Sequence, residues 1–141
     1  VKYYLAYGMN TNIASMTARC PGARSLGKAV LKNHKLVFKH HADIERSQGS
    51  EMECALWLIS DSCEASLDIL EGYPFYYNKK MVDADFNGTT VRAMVYFMTD
   101  NQSYAPPAES YMNMMLEGYR AHDMDTKQIY KAQGEVCRMM L

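Results

Sequence analysis

Residues 79–98 read KKMVDADFNGTTVRAMVYFM, two alternating runs on either side of Asn87-Gly88. Asn-Gly accepts positive φ at both central positions of the tight turn whose twist matches that of paired strands. The stretch therefore predicts an antiparallel hairpin, and counting outward from the turn sets its register. Phe86 pairs with Thr89, Ala84 with Val91 and Val82 with Ala93 on one face. Asp83 then falls opposite Arg92 on the other face, and an opposite-charge pair favours this register over a slipped one. The face of Asp83 and Arg92 also carries Met81, Met94, Tyr96, Tyr77 and Met98, which makes Tyr77 and Tyr96 diagonal neighbours.

Upstream, Tyr3–Tyr7 is a short aromatic and apolar strand that runs into Gly8, and Thr11 or Asn12 is placed to cap a helix through Met16. The stretch Ala29–Phe38 and the apolar run Cys54–Ile59 around Trp57 read as two more strands. The polar segment His40–Glu53 between them, with Ser47, Gly49 and Ser50, predicts a loop of about a dozen residues. Asp61 with Glu64 three residues later has the form of a capping box, and Cys63, Leu67 and Leu70 follow at helical spacing. A helix is expected from about Ser62 to Leu70, stopping at Gly72. Beyond the hairpin, Pro106 and Pro107 stand at a helix start, followed by Tyr111, Met114, Met115, Gly118 and Tyr119 at helical spacing, a helix expected to cover the sheet. The tail past Gln133 offers no pattern that places it.

The 141 residues fit a single domain, 1–141, with one core. A net charge of −1 and a pI near 6.5 give no global attraction to nucleic acid or to an anionic membrane. No apolar run approaches the roughly 20 residues that a helical membrane span needs. The segment opens on strand-like residues without a signal-peptide pattern, so the expected compartment is the cytoplasm. Cys20, Cys54, Cys63 and Cys137 lie far apart without a CxxC pair, which suits small apolar fillers in a reducing compartment. His40 and His41 lie among Lys32, Lys35, Lys39 and Arg46; neighbours on a strand point to opposite faces, so the pair is expected on a solvated strand face rather than around a metal.

Glu71 has the most unusual expected setting of any acidic residue. One turn beyond Leu67, it lies at the edge of the apolar stripe and at the helix C-terminus, where the macrodipole disfavours negative charge. A carboxylate leaning inward there has its pKa raised toward the range useful for proton transfer at neutral pH; an ordinary surface Glu at a frayed helix end fits the same pattern. Gly8 lets the backbone approach a ligand, and the amides at the following helix start offer an anion site; a plain strand-to-helix connection is the alternative. Tyr73, Tyr76, Tyr77 and Tyr96 are by default core aromatics.

Taken together and in order, YLAYGMNTN, LDILEGYPFYYNKKMV, VRAMVYFMT and the APP before a Tyr-bearing helix resemble the gamma-glutamylcyclotransferase-like family, which includes the AIG2-like proteins. The resemblance runs from Tyr3 to about Asp125. It implies an α+β fold, a small mixed β-barrel with surrounding helices. It also implies an enzyme that cyclises a small-molecule gamma-glutamyl substrate to 5-oxoproline with release of an amine or amino acid, using no metal and no cofactor. The family's Tyr-Gly-Ser-Asn loop carries over onto Tyr7, Gly8, Met9 and Asn10, which implies a cradle for the alpha-carboxylate and amino end of the glutamyl group. Its catalytic Glu carries over onto Glu71, and its pocket tyrosines onto Tyr77 and Tyr96. The departure is Met9, where the family has Ser: backbone contacts survive and a hydroxyl is lost. A lyase acting on gamma-glutamyl amines, a module that binds a gamma-glutamyl group or carboxylate without turnover, and a plain structural domain are the alternatives.

Overall fold

A computed structural model describes residues 2–141. The elements follow as β1 (Lys2–Ala6), a 3-10 turn (Met9–Thr11), α1 (Ile13–Arg19), β2 (Arg24–Lys39), β3 (His41–Ile59), α2 (Asp61–Leu70), β4 (Tyr77–Phe86), β5 (Thr89–Met98), α3 (Glu109–Ala121) and α4 (Lys127–Met139). The strands close into a barrel in the order β1-β3-β2-β4-β5. Every pairing is antiparallel except the closing seam, where β1 lies parallel to β5 with Tyr4 beside Met94. That one seam makes the barrel mixed, as the resemblance implies.

The hairpin has the register read from the turn: Phe86 faces Thr89, Val82 faces Ala93 and Asp83 faces Arg92, with an ion pair of 3.1 Å between the last two. Asn87 and Gly88 both have positive φ, 53° and 83°. The expected loop at His40–Glu53 is instead strand. β3 turns back from β2 at His40 and pairs with it along most of its length; Asn33 and Ser47–Ser50 lie outside the register, between the His34–Arg46 and Lys32–Glu51 pairs. The segment reads as a loop because Arg46–Glu51 is largely exposed, so its side chains are polar while its flanks keep the ladder. Near the barrel the pattern reverts, with Ala42, Asp43 and Ile44 buried.

Asn12 caps α1 by accepting from the Ser15 amide at 3.0 Å. α2 is capped by Ser60, whose hydroxyl accepts from the Cys63 amide at 3.1 Å, rather than by the Asp61–Glu64 box. Glu64 is used elsewhere. Its carboxylate receives Lys2 of β1 at 2.5 Å and Lys79 of β4 at 2.6 Å, and Lys79 also reaches Asp68 at 2.8 Å, so α2 is held across two strands. The tail past Gln133 that offered no pattern is the second half of α4, a helix that buries Ile129, Ala132 and Val136.

Cys20 at the end of α1 and Cys63 in α2 form a disulfide. This corrects the reading of all four cysteines as reduced fillers and removes the cysteine argument for a reducing compartment. Cys54 alone is a buried filler, while Cys137 is exposed. No helix is long and apolar enough to cross a membrane.

α3 packs against the 3-10 turn at Gly118. A β-carbon added there would lie 2.3 Å from Thr11 Oγ1 and 2.5 Å from the Asn12 backbone nitrogen, so helix and turn touch backbone to backbone. Gly118→Ala is expected to cost about 1–3 kcal/mol, the usual range for overpacking. A denaturation midpoint equal to that of the wild type would contradict this packing.

Candidate functional site

β1 ends at Ala6, and the chain passes through Tyr7 and Gly8 into the 3-10 turn against the end of α2 and the start of β4. A pocket of about 250 Å³ opens there. All seven residues singled out in the sequence, Tyr7, Gly8, Met9, Asn10, Glu71, Tyr77 and Tyr96, line it. Five further polar or aromatic residues join them: Tyr4, Arg19, His41, Tyr76 and Tyr111.

Glu71 forms the C-cap of α2, with φ −80° and ψ −4°, and its amide returns to Leu67 O at 2.8 Å. The helical turn thus continues to Glu71, one turn beyond Leu67, which is fully buried. Withdrawal from water raises the Glu71 pKa; the Arg19 charge and a hydrogen bond from Asn10 act against that rise without cancelling it.

The Asn10 side chain is the centre of this arrangement. It is buried at 4 % exposure, and its Nδ2 donates to Tyr4 Oη at 2.9 Å and to Glu71 Oε1 at 3.3 Å. Its Oδ1 accepts from the Arg19 guanidinium. With both ends committed, the carboxamide cannot flip without breaking contacts, so it presents an N–H to the carboxylate. The expected cradle is thus partly of another kind: Asn10 acts through its side chain, and the ligand it holds here is Glu71.

Gly8 has φ −118° and so avoids the left-handed region. Its lack of a side chain makes room instead: a β-carbon there would lie 2.9 Å from both Ala42 Cβ and Tyr111 Oη.

Tyr77 and Tyr96 present rings to the pocket, but their hydroxyls are spent on the scaffold. Tyr77 donates to Ala42 O at 2.7 Å and Tyr96 to Asp68 Oδ1 at 2.7 Å, while Tyr7 donates to Tyr96 O at 2.7 Å. Burial raises the pKa of all three phenols, which are neutral donors at physiological pH.

His41 stands at the exposed rim. Its Nδ1 is 2.8 Å from Tyr76 Oη and its ring centroid 5.2 Å from that of Tyr111. His41 is exposed at the start of β3, as a solvated strand face requires, and it also lines the pocket. Partial burial lowers its pKa, so the ring is neutral at pH 7. Arg19, His41 and Tyr111 were not legible as site residues because each lies on a segment remote in sequence from Glu71. The one signal for Tyr111 was its position after APP in the stretch that carried the resemblance.

The arrangement offers one carboxylate of raised pKa, oriented by an amide, in a pocket walled by aromatic rings and neutral hydroxyls, with one guanidinium at its edge. It is suited to moving a proton between two positions on a small polar molecule. Among the described residues, no group of three His, Cys, Asp or Glu side chains is gathered to hold a metal ion.

Comparisons with known proteins agree with this architecture. A solved gamma-glutamyl cyclotransferase superposes with a TM-score of 0.84 at 25% identity, over 94% of this chain and 86% of that one. The uncharacterized protein loc79017 from Homo sapiens gives 0.84 at 26% identity over the same shares. YkqA from Bacillus subtilis shares the fold, with a TM-score of 0.79 at 20% identity over 96% of this chain and 54% of that one. No curated protein sequence matches the chain. The profile of the family described as gamma-glutamyl cyclotransferase, AIG2-like, matches residues 4–113. The chain belongs to that family.

Proposed function

We propose that this protein is an enzyme of the gamma-glutamyl cyclotransferase type, which closes a gamma-glutamyl group to 5-oxoproline and releases an amine or amino acid. The observation that carries the reading is the Glu71 carboxylate, withdrawn from water, held by Asn10 and facing a pocket of small-molecule size. A structural domain has no use for a carboxylate in so costly a place. The family likeness supplies the class of substrate.

In this reaction the alpha-amine of the substrate attacks its own side-chain carbonyl carbon. One C–N bond forms, the bond to the leaving nitrogen breaks, and one proton moves from the attacking nitrogen to the leaving one. Both reacting groups belong to one molecule, so the pocket's first task is to hold it folded; effective molarities of well-oriented intramolecular reactions reach roughly 10⁵ M or more. Glu71 takes the proton from the attacking nitrogen and returns it to the leaving group. A raised pKa narrows the gap between carboxylate and amine, which favours both transfers. The rings of Tyr7, Tyr77 and Tyr96 exclude water, and the turn Gly8–Asn10 lies against the glutamyl end. Met9 lacks the hydroxyl that the family's Ser would supply, so polar contacts at that position fall to the backbone.

The test is 5-oxoproline release from a panel of gamma-glutamyl amino acids, amines and peptides. Turnover by the wild type is expected, with kcat lowered about 10²- to 10⁴-fold in Glu71→Gln; turnover untouched by that substitution would remove Glu71 from the reaction. If no compound turns over while one still raises the melting temperature, the pocket binds without catalysis.

The same variant has an opposite expected effect on stability. The folded pKa of Glu71 lies above its unfolded value, so the ionised side chain opposes folding at any pH above the folded pKa, and the penalty vanishes as pH falls below the unfolded value. Glu71→Gln should melt higher than the wild type at pH 7–8, with the difference closing toward about pH 4. A variant that melts lower at neutral pH would show that the carboxylate stabilises the fold.

A further inference from the structure

Six tyrosines line the pocket, and following each hydroxyl proton to its acceptor separates them. Tyr7, Tyr77 and Tyr96 donate to backbone or carboxylate oxygens, and Tyr76 is bonded to His41. Tyr4 and Tyr111 accept hydrogen bonds, and among the described residues neither has an acceptor for its own proton. Tyr4 is sealed at 4 % exposure beneath Asn10. Tyr111 differs in where its oxygen lies. It accepts from the Ala42 amide at 3.1 Å, and it occupies the space that Gly8 leaves by having no side chain.

A phenol oxygen that receives the Ala42 N–H must point its own O–H away from that amide. The vector is therefore set by the scaffold rather than by a rotating hydroxyl. The amide also polarises the O–H bond and acts against the burial, which still leaves the phenol pKa raised to about 12. A donor fixed before substrate arrives, beside the turn that meets the glutamyl end, is what a developing oxyanion needs.

From this geometry we infer that Tyr111 is a catalytic residue, whose hydroxyl donates a hydrogen bond to the gamma-carbonyl oxygen as it becomes the oxyanion of the tetrahedral intermediate. The inference rests on the cyclisation reading. Its step is electrostatic: the phenol keeps its proton, and Glu71 carries the one that moves. It also supplies a hydroxyl donor in the turn where Met9 has none. Sequence spacing places Tyr111 on a core-facing helix stripe, and only the fold brings its oxygen to Gly8.

The experiment compares kcat and KM for wild type, Tyr111→Phe and Glu71→Gln on one gamma-glutamyl substrate, with melting temperatures alongside. Tyr111→Phe keeps the ring beside His41 and is expected to lose about 10²- to 10³-fold in kcat with KM within threefold. A kcat within threefold of wild type, or a loss confined to KM, overturns the inference. If Tyr111→Phe does not fold, 3-fluorotyrosine at position 111 keeps the shape while making the phenol more acidic. A kcat changed at least twofold at constant KM then supports the inference, and an unchanged kcat overturns it. A wild type that releases no 5-oxoproline fails the cyclisation reading, and this inference with it. Turnover that is lost in Glu71→Gln and kept in Tyr111→Phe fails this inference alone.

Discussion

The hydrogen bond from Asn10 Nδ2 to Glu71 Oε1 spans 61 residues of sequence and joins the two halves of the site. Around it the structure solves one problem: a carboxylate must be withdrawn from water without losing its orientation. Burial raises the cost of the charge, and one N–H with one guanidinium keeps the ionised form accessible. Stronger pairing would pull the pKa down and leave a weak base. Complete burial with no partner would leave the carboxyl permanently neutral.

Other features serve to hold the two partners in place. Asn10 lies in a 3-10 turn wedged between β1 and α3, with Gly118 letting the helix touch the turn. Tyr119 reaches past it to bond Tyr7 O at 2.8 Å. Glu71 ends a helix anchored by Lys2 and Lys79 through Glu64 and Asp68. The Cys20–Cys63 bond then ties the end of α1, next to Arg19, to the helix that carries Glu71. Elements remote in sequence are thus clamped around the carboxylate to which the proposed reaction assigns the proton transfer, a step that requires about half an ångström of precision.

How far the sequence revealed this depended on whether the information was local. The hairpin register was legible because Asn-Gly and two alternating runs leave one consistent pairing. Glu71 was legible because helical spacing from Leu67 places it, and resemblance tied it to Tyr7–Asn10 and to the tyrosines. The long β2–β3 ribbon was not, since exposed strand and loop share a polar composition when no face is buried. α4 was missed although Ile129, Ala132 and Val136 recur at helical spacing, because polar residues surround them. Arg19, His41 and Tyr111 join the pocket only after the barrel closes, and no spacing rule relates them to Glu71. The disulfide was hidden for the same reason, its cysteines lying 43 residues apart.

The central claim is that burial, rather than pairing, sets the state of Glu71. Carbon-13 NMR of the glutamate side-chain carboxyls, titrated in the ligand-free protein and assigned by the signal missing from Glu71→Gln, measures this directly. The account predicts that this one carboxyl titrates above its ordinary value of 4.5. A midpoint at or below that value would mean that Arg19 and Asn10 outweigh desolvation, and the site would then hold a fixed negative charge rather than a proton shuttle.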